Sequence, residues 1–429
     1  MIATAIGLLL GFLAIGIPVA ATLILLAIIL GSTFSPIPLA SVFGELAWSS
    51  TSEFTLFAIP LYILLGELLL RSGISEKMYH AIAQWMSRLP GGLMHANLGF
   101  STVFAAMSGS SVACAATLGK VANPLIPRYR YNERLFLGTI AAGGTLGILI
   151  PPSIPLILYG VLTETSIPQL YLAGIIPGIL LASCFILTVV LACYFRPAWG
   201  GVPIETNWSE RFRALPELIP PLLIIVSVIG AIYAGWATPT ESAALGVIMA
   251  MILAGYQRRL SFRLVLDAAE STVIVTAMLV FIVMAAFLLN FVLSAIGLSR
   301  IVTDLFAASG LSPTGIVITA IVFYLILGMF MESLSMLIAT VPLIVPALKA
   351  ADVNTVWFGV LMMVLMEVAL LTPPVGLNLF VVQGTRDSGN VKDVIIGTMP
   401  FVIAMFVFIA LMVMFPEIAL WLPGVLDGQ

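Results

Sequence analysis

Two short polar stretches interrupt long apolar ones, and each gathers oxygen donors into a compact group. Ser108-Gly109-Ser110-Ser111 sets three hydroxyls around a glycine, and Glu332-Ser333-Leu334-Ser335 sets a carboxylate beside two hydroxyls. A proline pair follows each: Ile150-Pro151-Pro152-Ser153 after the first, and Leu371-Thr372-Pro373-Pro374 with Asn378 after the second. Proline supplies no N–H and clashes with the preceding turn, so each pair breaks a helix. A break frees carbonyls at one end, which can ligate a small cation, and N–H groups at the other, which favour an anion. These oxygens are hard ligands with no Cys or His cluster beside them, so they suit sodium better than a transition metal. The candidate region for substrate or coupling ion is therefore Ser108, Gly109, Ser110, Ser111, Pro151, Pro152, Ser153, Glu332, Ser333, Thr372, Pro373, Pro374 and Asn378. Ser110 and Thr372 are the expected sodium ligands, and no further cofactor is called for.

Other chemistry-bearing residues have plainer readings beside the functional ones. Glu332 and Glu367 are carboxylates in apolar surroundings, costly there unless paired, protonated or wetted, and neither has a basic partner nearby in sequence. Glu67 lies close enough to a span end to reach the interface instead of a partner. Thr238, Pro239 and Glu241 form a capping-box pattern, so Glu241 is read first as a structural cap. Gly143, Gly144 and Gly147 also suit close helix packing. Cys114, Cys184 and Cys193 have no pairing or ligand spacing and read as small buried side chains.

The elements that must position these groups repeat. Pro124 precedes Pro346 by the same separation as Pro151 precedes Pro373, and Gly73 in "RSGISEKM" echoes Gly297 in "AIGLSRIV". Composition fixes the solvent: 61% of residues are hydrophobic, 9% are charged, and the mean hydropathy is +1.18. Uncharged runs such as Thr165 to Phe195 and Ser271 to Ser299 are each long enough to cross about 30 Å of hydrocarbon as a helix. No basic patch is dense enough to hold nucleic acid. The apolar N-terminus lacks a basic lead and reads as a span, not a cleaved signal.

Met1 to Leu30 is expected as a first span bent at Gly16 and Pro18, followed by a polar loop over 31–52 and a span from Phe54 to Leu70. The amphipathic stretch Ile74 to Leu89 suits a helix lying along the interface. A straight span gains nothing from the Gly-Ser cluster at 108–111, so 93–126 is predicted to be a re-entrant hairpin with its tip there. Basic loops at Arg128–Arg134, Arg196–Arg213 and Arg258–Arg263 alternate with loops poor in base at Glu164 and Thr238, which places the basic set in the cytoplasm. The parity then inverts the second copy. The expected organisation is a first repeat over 1–195 with a broken helix at 135–160, connecting spans over 196–263, a second inverted repeat over 264–393, and a C-terminal span over 394–429. The second repeat holds an interfacial helix at 301–308, a hairpin at 315–349 and a broken helix at 356–384.

The expected fold class is an all-α polytopic membrane protein with inverted repeats, two re-entrant helical hairpins and broken helices. Matched breaks meeting at mid-membrane are the architecture of secondary transporters.

The segments "LPGGL", "AMSGSSVACAATLG", "LGILIPPSIPLILYG", "LAGIIPG", "ATPTESAALG" and "LLTPPVGLNLF" resemble the large membrane subunit of tripartite ATP-independent periplasmic (TRAP) transporters, over essentially the whole chain. The resemblance implies sodium-driven transport of a small organic acid by an elevator-like movement. It further implies two partners in the inner membrane system: a small four-span membrane subunit and a soluble periplasmic substrate-binding protein. Ser108 to Ser111 match the family's first tip, and Glu332 falls where many relatives carry an acidic residue, commonly Asp.

Competing classes fare worse. A membrane-embedded enzyme would need a convergent catalytic set, yet the chain has no HExxH, CxxC or GxSxG and only two histidines, His80 and His95. A purely structural subunit would not need paired polar breaks. A channel is separated by saturable, sodium-dependent uptake that requires a soluble binder, and a sodium-coupled carboxylate carrier of another class by independence from any such binder.

Overall fold

The computed structural model describes residues 2–202, 207–298, 300, 301, 303, 304 and 310–426. Every regular element among them is helical. In a bilayer a helix pairs its own N–H and C=O groups, and nothing else at that depth does so except a closed barrel. Among the described residues, six helices are long and apolar enough to cross a membrane: Phe54–Arg71, Ile167–Phe195, Pro239–Tyr256, Phe262–Ala295, Ser333–Ala350 and Val391–Met414. Their outward faces keep apolar side chains in the open; Leu187, Ile252 and Ile403 are 54%, 67% and 63% exposed. Lipid solvates such faces, and the protein is a multi-pass all-α membrane protein.

Three expectations need correction. The first span is two helices, Ile2–Ala14 and Val19–Phe34, because Gly16 takes a φ of +83° and Pro18 follows at the start of the second. The segment 31–52 is not a loop throughout: Leu39–Thr51 is a helix packed along Phe262–Ala295. Its hydroxyls are absorbed locally, Ser41 donating to the Pro38 carbonyl and Thr51 to that of Ala47, each at 2.7 Å. The long helix Phe262–Ala295 starts well ahead of the uncharged run at Ser271, since the Ser261 hydroxyl caps it at the Leu264 N–H. The counterpart interfacial helix at 301–308 falls largely outside the described residues.

Two helix pairs fold back on themselves. Leu93–Ser108 and Ser111–Ala122 pack together around a turn at Gly109 and Ser110, and Pro313–Gly328 packs with Ser333–Ala350 around a turn ending at Glu332. Gly109 has a φ of +57°, a conformation that a side chain would strain. The proline pairs separate Glu133–Thr145 from Ile154–Thr163 and Thr355–Leu371 from Leu377–Gly384. Ile167–Phe195 packs on the first of these breaks through Gly174 and Gly178, where a Cβ would come within 2.8 Å of the Leu149 carbonyl and 2.6 Å of the Ile150 side chain.

Contacts near the helix ends, between segments distant in sequence, include two sets. In one, Arg71 meets Ser271 at 2.9 Å, Asn123 meets the Thr385 hydroxyl at 2.9 Å, Arg134 pairs with Asp393 at 2.9 Å and Arg386 with Glu133 at 2.6 Å. Both ends of the first hairpin join this set, the Leu93 N–H donating to the Tyr131 hydroxyl at 2.9 Å. In the other, Lys349 at the end of the second hairpin donates to the Thr163 carbonyl at 3.0 Å, Tyr159 to that of Thr355 at 2.8 Å, and Tyr233 to that of Pro168 at 3.0 Å. The first set joins loops that the charge pattern puts on one side, and the second joins loops that it puts on the other.

Candidate functional site

Both hairpin turns open into one cleft of about 160 Å³. Ser108, Ser110 and Ser111 line it from the first turn, Glu332 and Ser333 from the second, and Glu67 from the helix Ala58–Arg71. Backbone contact sets the spacing between that helix and the first turn, since a Cβ on Gly66 would lie 3.1 Å from the Cα and carbonyl oxygen of Ser108.

The two turns end in unlike caps at matched positions. Ser110 is extended, and its hydroxyl accepts from the Ala113 N–H at 3.3 Å to cap Ser111–Ala122. Glu332 accepts from the N–H groups of Leu334 at 3.0 Å and Ser335 at 2.9 Å and from the Ser335 hydroxyl at 3.1 Å. The carboxylate that lacked a partner in sequence thus finds one in its own helix terminus.

The next residue of each arm ties its turn to a broken helix. Ser111 donates to the Thr145 carbonyl at 3.2 Å, and Ser333 donates to the Met366 carbonyl at 3.3 Å. Thr145 and Glu367 lie beside each other although they belong to different halves. The Thr145 hydroxyl donates to the Ala142 carbonyl at 2.8 Å, so Glu367, fully buried, keeps both carboxyl oxygens without a hydrogen-bond partner. Asn378 is also fully buried; its amide donates across to the Ala141 carbonyl at 3.3 Å, and its oxygen has no partner.

Gly109 also lines the cleft, while the remaining predicted residues stand behind or beside it. Pro151, Pro152 and Ser153 are buried, with the Pro152 carbonyl 3.4 Å from where a Cβ on Gly109 would lie. The Ser153 hydroxyl donates to the Ile148 carbonyl within the break. The Thr372 hydroxyl donates to the Val368 carbonyl at 2.7 Å, and Pro373 and Pro374 reach the surface. Both proline–proline peptide bonds are cis.

Two features were not assigned to the site from sequence. Glu67 lines the cleft, its carboxylate held by Arg71 at 3.0 Å, and the Thr145–Glu367 contact joins the halves. The i,i+4 spacing of Glu67 and Arg71 is a readable signal of the first. The second depends on how distant helices pack and leaves only the isolated carboxylate as a sign.

The family of the chain is decided by the model described as "Tripartite ATP-independent periplasmic transporter, DctM component", which matches residues 6–418. The chain belongs to this transporter family. Relatives agree over nearly the full length. A "C4-dicarboxylate TRAP transporter large permease protein DctM" of Vibrio cholerae is 30% identical, covering 98% of this chain and 97% of the relative. A "Sialic acid TRAP transporter large permease protein SiaM" of the same organism is 32% identical, also covering 98% and 97%. The fold is similar to that of the YdaH transporter of Alcanivorax borkumensis, with a TM-score of 0.65 at 15% identity over 93% of this chain and 96% of that one. Membership makes the chain a transporter subunit and not an enzyme.

Proposed function

We propose that this chain is the large permease subunit of a sodium-driven uptake system for a small organic acid in the inner (cytoplasmic) membrane. The observation that carries the reading is the single cleft shared by both hairpin turns, lined by hydroxyls and carboxylates and backed by two broken helices. Ser110 and Thr372, with carbonyls freed at the breaks, supply hard oxygen ligands for sodium. The acid binds among the serines of the first turn.

In this reading the hairpins are re-entrant and the two halves inverted, 1–195 against 264–393, with 196–263 connecting them and 394–429 adding a span. The two sets of loop contacts support it, since each hairpin has its ends tied into a different set while its turn reaches the common cleft. An elevator movement carries hairpins and broken helices past the helix Ala58–Arg71. The cleft lies against Ile63, Gly66, Glu67 and Leu70, toward the Arg71 end, so the arrangement corresponds to release on the cytoplasmic side. A gradient can bias such a cycle only if sodium binds the two end states with different affinity.

The partners are a small four-span membrane subunit and a soluble periplasmic binding protein that delivers the acid. Relatives named for C4-dicarboxylates and for sialic acid are nearly equally similar, so identity does not select the acid. The test is uptake into sealed vesicles holding both membrane subunits, with no nucleotide. An imposed sodium gradient together with the acid-loaded soluble partner is expected to drive accumulation. Accumulation without the partner would point to a carrier of another class.

A further inference from the structure

We propose that the cleft is built for a small acid with one carboxylate and a separate hydrogen-bond donor, a hydroxyl or an ammonium, oriented with its carboxylate at the Ser110 turn and its donor at Glu67. The inference rests on the cleft being the substrate site, and it follows from an asymmetry between the two turns.

Ser110 and Glu332 occupy matched positions, yet only Glu332 brings a charge. Its two carboxyl oxygens already accept from Leu334 N–H, Ser335 N–H and the Ser335 hydroxyl at 2.9–3.1 Å. The second turn therefore holds an anion of its own, and a substrate carboxylate placed there would face like charge without free donors. The first turn has no such occupant. Ser108 and Ser110 offer it hydroxyl donors, since both hydroxyls only accept within the turn while that of Ser111 is committed to the Thr145 carbonyl, and they stand at the start of a helix whose terminus favours negative charge.

Glu67 fixes the other end of the ligand. Its Oε2 accepts from Arg71 Nε at 3.1 Å and Nη2 at 3.0 Å, while Nη2 also donates to the Ser271 hydroxyl at 2.9 Å. Oε1 accepts no hydrogen bond among the described residues, and the side chain is 22% exposed where it lines the cleft. Arg71 thus anchors the carboxylate by one oxygen and leaves the other as an acceptor. An acceptor selects a donor, and with Glu332 also lining the cleft it disfavours a second carboxylate. A site that presents a hydrogen-bonding group rejects analogues lacking the complement far more strongly than an apolar pocket rejects a missing methylene.

The experiment uses the purified complex of both membrane subunits, in sodium and without the soluble partner, so that only the cleft is read. The probes are 4-hydroxybutyrate, 4-aminobutyrate and succinate, which share a four-carbon chain and differ at one end. Calorimetric titration is expected to rank both donor-bearing probes at least tenfold tighter than succinate. Glu67→Gln keeps an acceptor for Arg71 and removes the charge, so the preference over succinate should shrink about tenfold; Glu332→Gln, a second variant lining the cleft, should also admit succinate better. Tightest binding by succinate in the native complex, an unchanged ranking in both variants, or no sodium-dependent binding of any probe would each overturn the inference. Sodium-driven uptake with the soluble partner is measured separately, so its persistence beside a succinate preference removes this inference alone, and its loss removes the transport reading.

Discussion

Ser111 and Ser333 perform the same task in the two halves: each is the first residue of the arm after a hairpin turn, and each donates its hydroxyl to a broken-helix carbonyl, at 3.2 and 3.3 Å. A turn held this way is fixed to the break behind it. The pair also links any ion bound among the freed carbonyls to the position of the cleft wall.

Removing an ion ligand at either half is expected to weaken coupling more than folding. Ser110→Ala loses a cap worth about 1 kcal/mol and a proposed sodium ligand, whereas Thr372→Ala loses the ligand and a hydrogen bond to the Val368 carbonyl. The concentration of sodium giving half-maximal uptake should rise several-fold in both, with recovery of the assembled complex near native. Unchanged sodium dependence in both would remove these residues from the shell.

Glu367 separates stability from activity. A buried carboxyl with two unpartnered oxygens does not help the fold, and an apolar residue of similar size removes its desolvation cost. Glu367→Leu is therefore expected to leave the melting temperature unchanged or raised and to reduce uptake at least tenfold. A variant that transports normally would assign Glu367 no part in the cycle.

Charge topology gives a third test. Single cysteines at the exposed positions Arg130, Arg213 and Arg258 should react with an impermeant reagent from one side only, and those at Glu164 and Thr238 from the other. Native Cys114 and Cys193 are buried and Cys184 half-buried, so all three are replaced first. Labelling of positions 130 and 258 from opposite sides would dismantle the inverted-repeat proposal.

A fourth concerns the crossing of Glu133–Thr145 with Val391–Met414, which approach at Gly138 and Gly397 so closely that a Cβ on either would strike backbone of the other helix. Gly397→Ala should destabilise the complex by about 1–3 kcal/mol through overpacking, read as a lower melting temperature. Gly384→Ala, at a position with open space around it, should not.

What the sequence made legible was what local chemistry dictates. Thr238 and Glu241 form the predicted capping box, the Thr238 N–H donating to the Glu241 carboxylate at 2.8 Å and the Glu241 N–H to the Thr238 hydroxyl at 3.3 Å. The Gly-Ser cluster and the proline pairs broke helices where their backbone preferences demand. Leu39–Thr51 departs from the expected loop because its hydroxyls look like loop residues until the helix supplies carbonyls for them. The Glu67 side chain and the Thr145–Glu367 contact needed the packed structure, since which face of a helix meets the cleft follows from its neighbours and not from its own spacing.

The most direct test of sodium coupling is the flux of labelled sodium into sealed vesicles, measured with and without the acid-loaded soluble partner and without nucleotide. Sodium entry should rise when the acid is delivered, in fixed proportion to the acid that enters, and both should fall together in Ser110→Ala. Acid entry at full rate with no accompanying sodium would contradict the account.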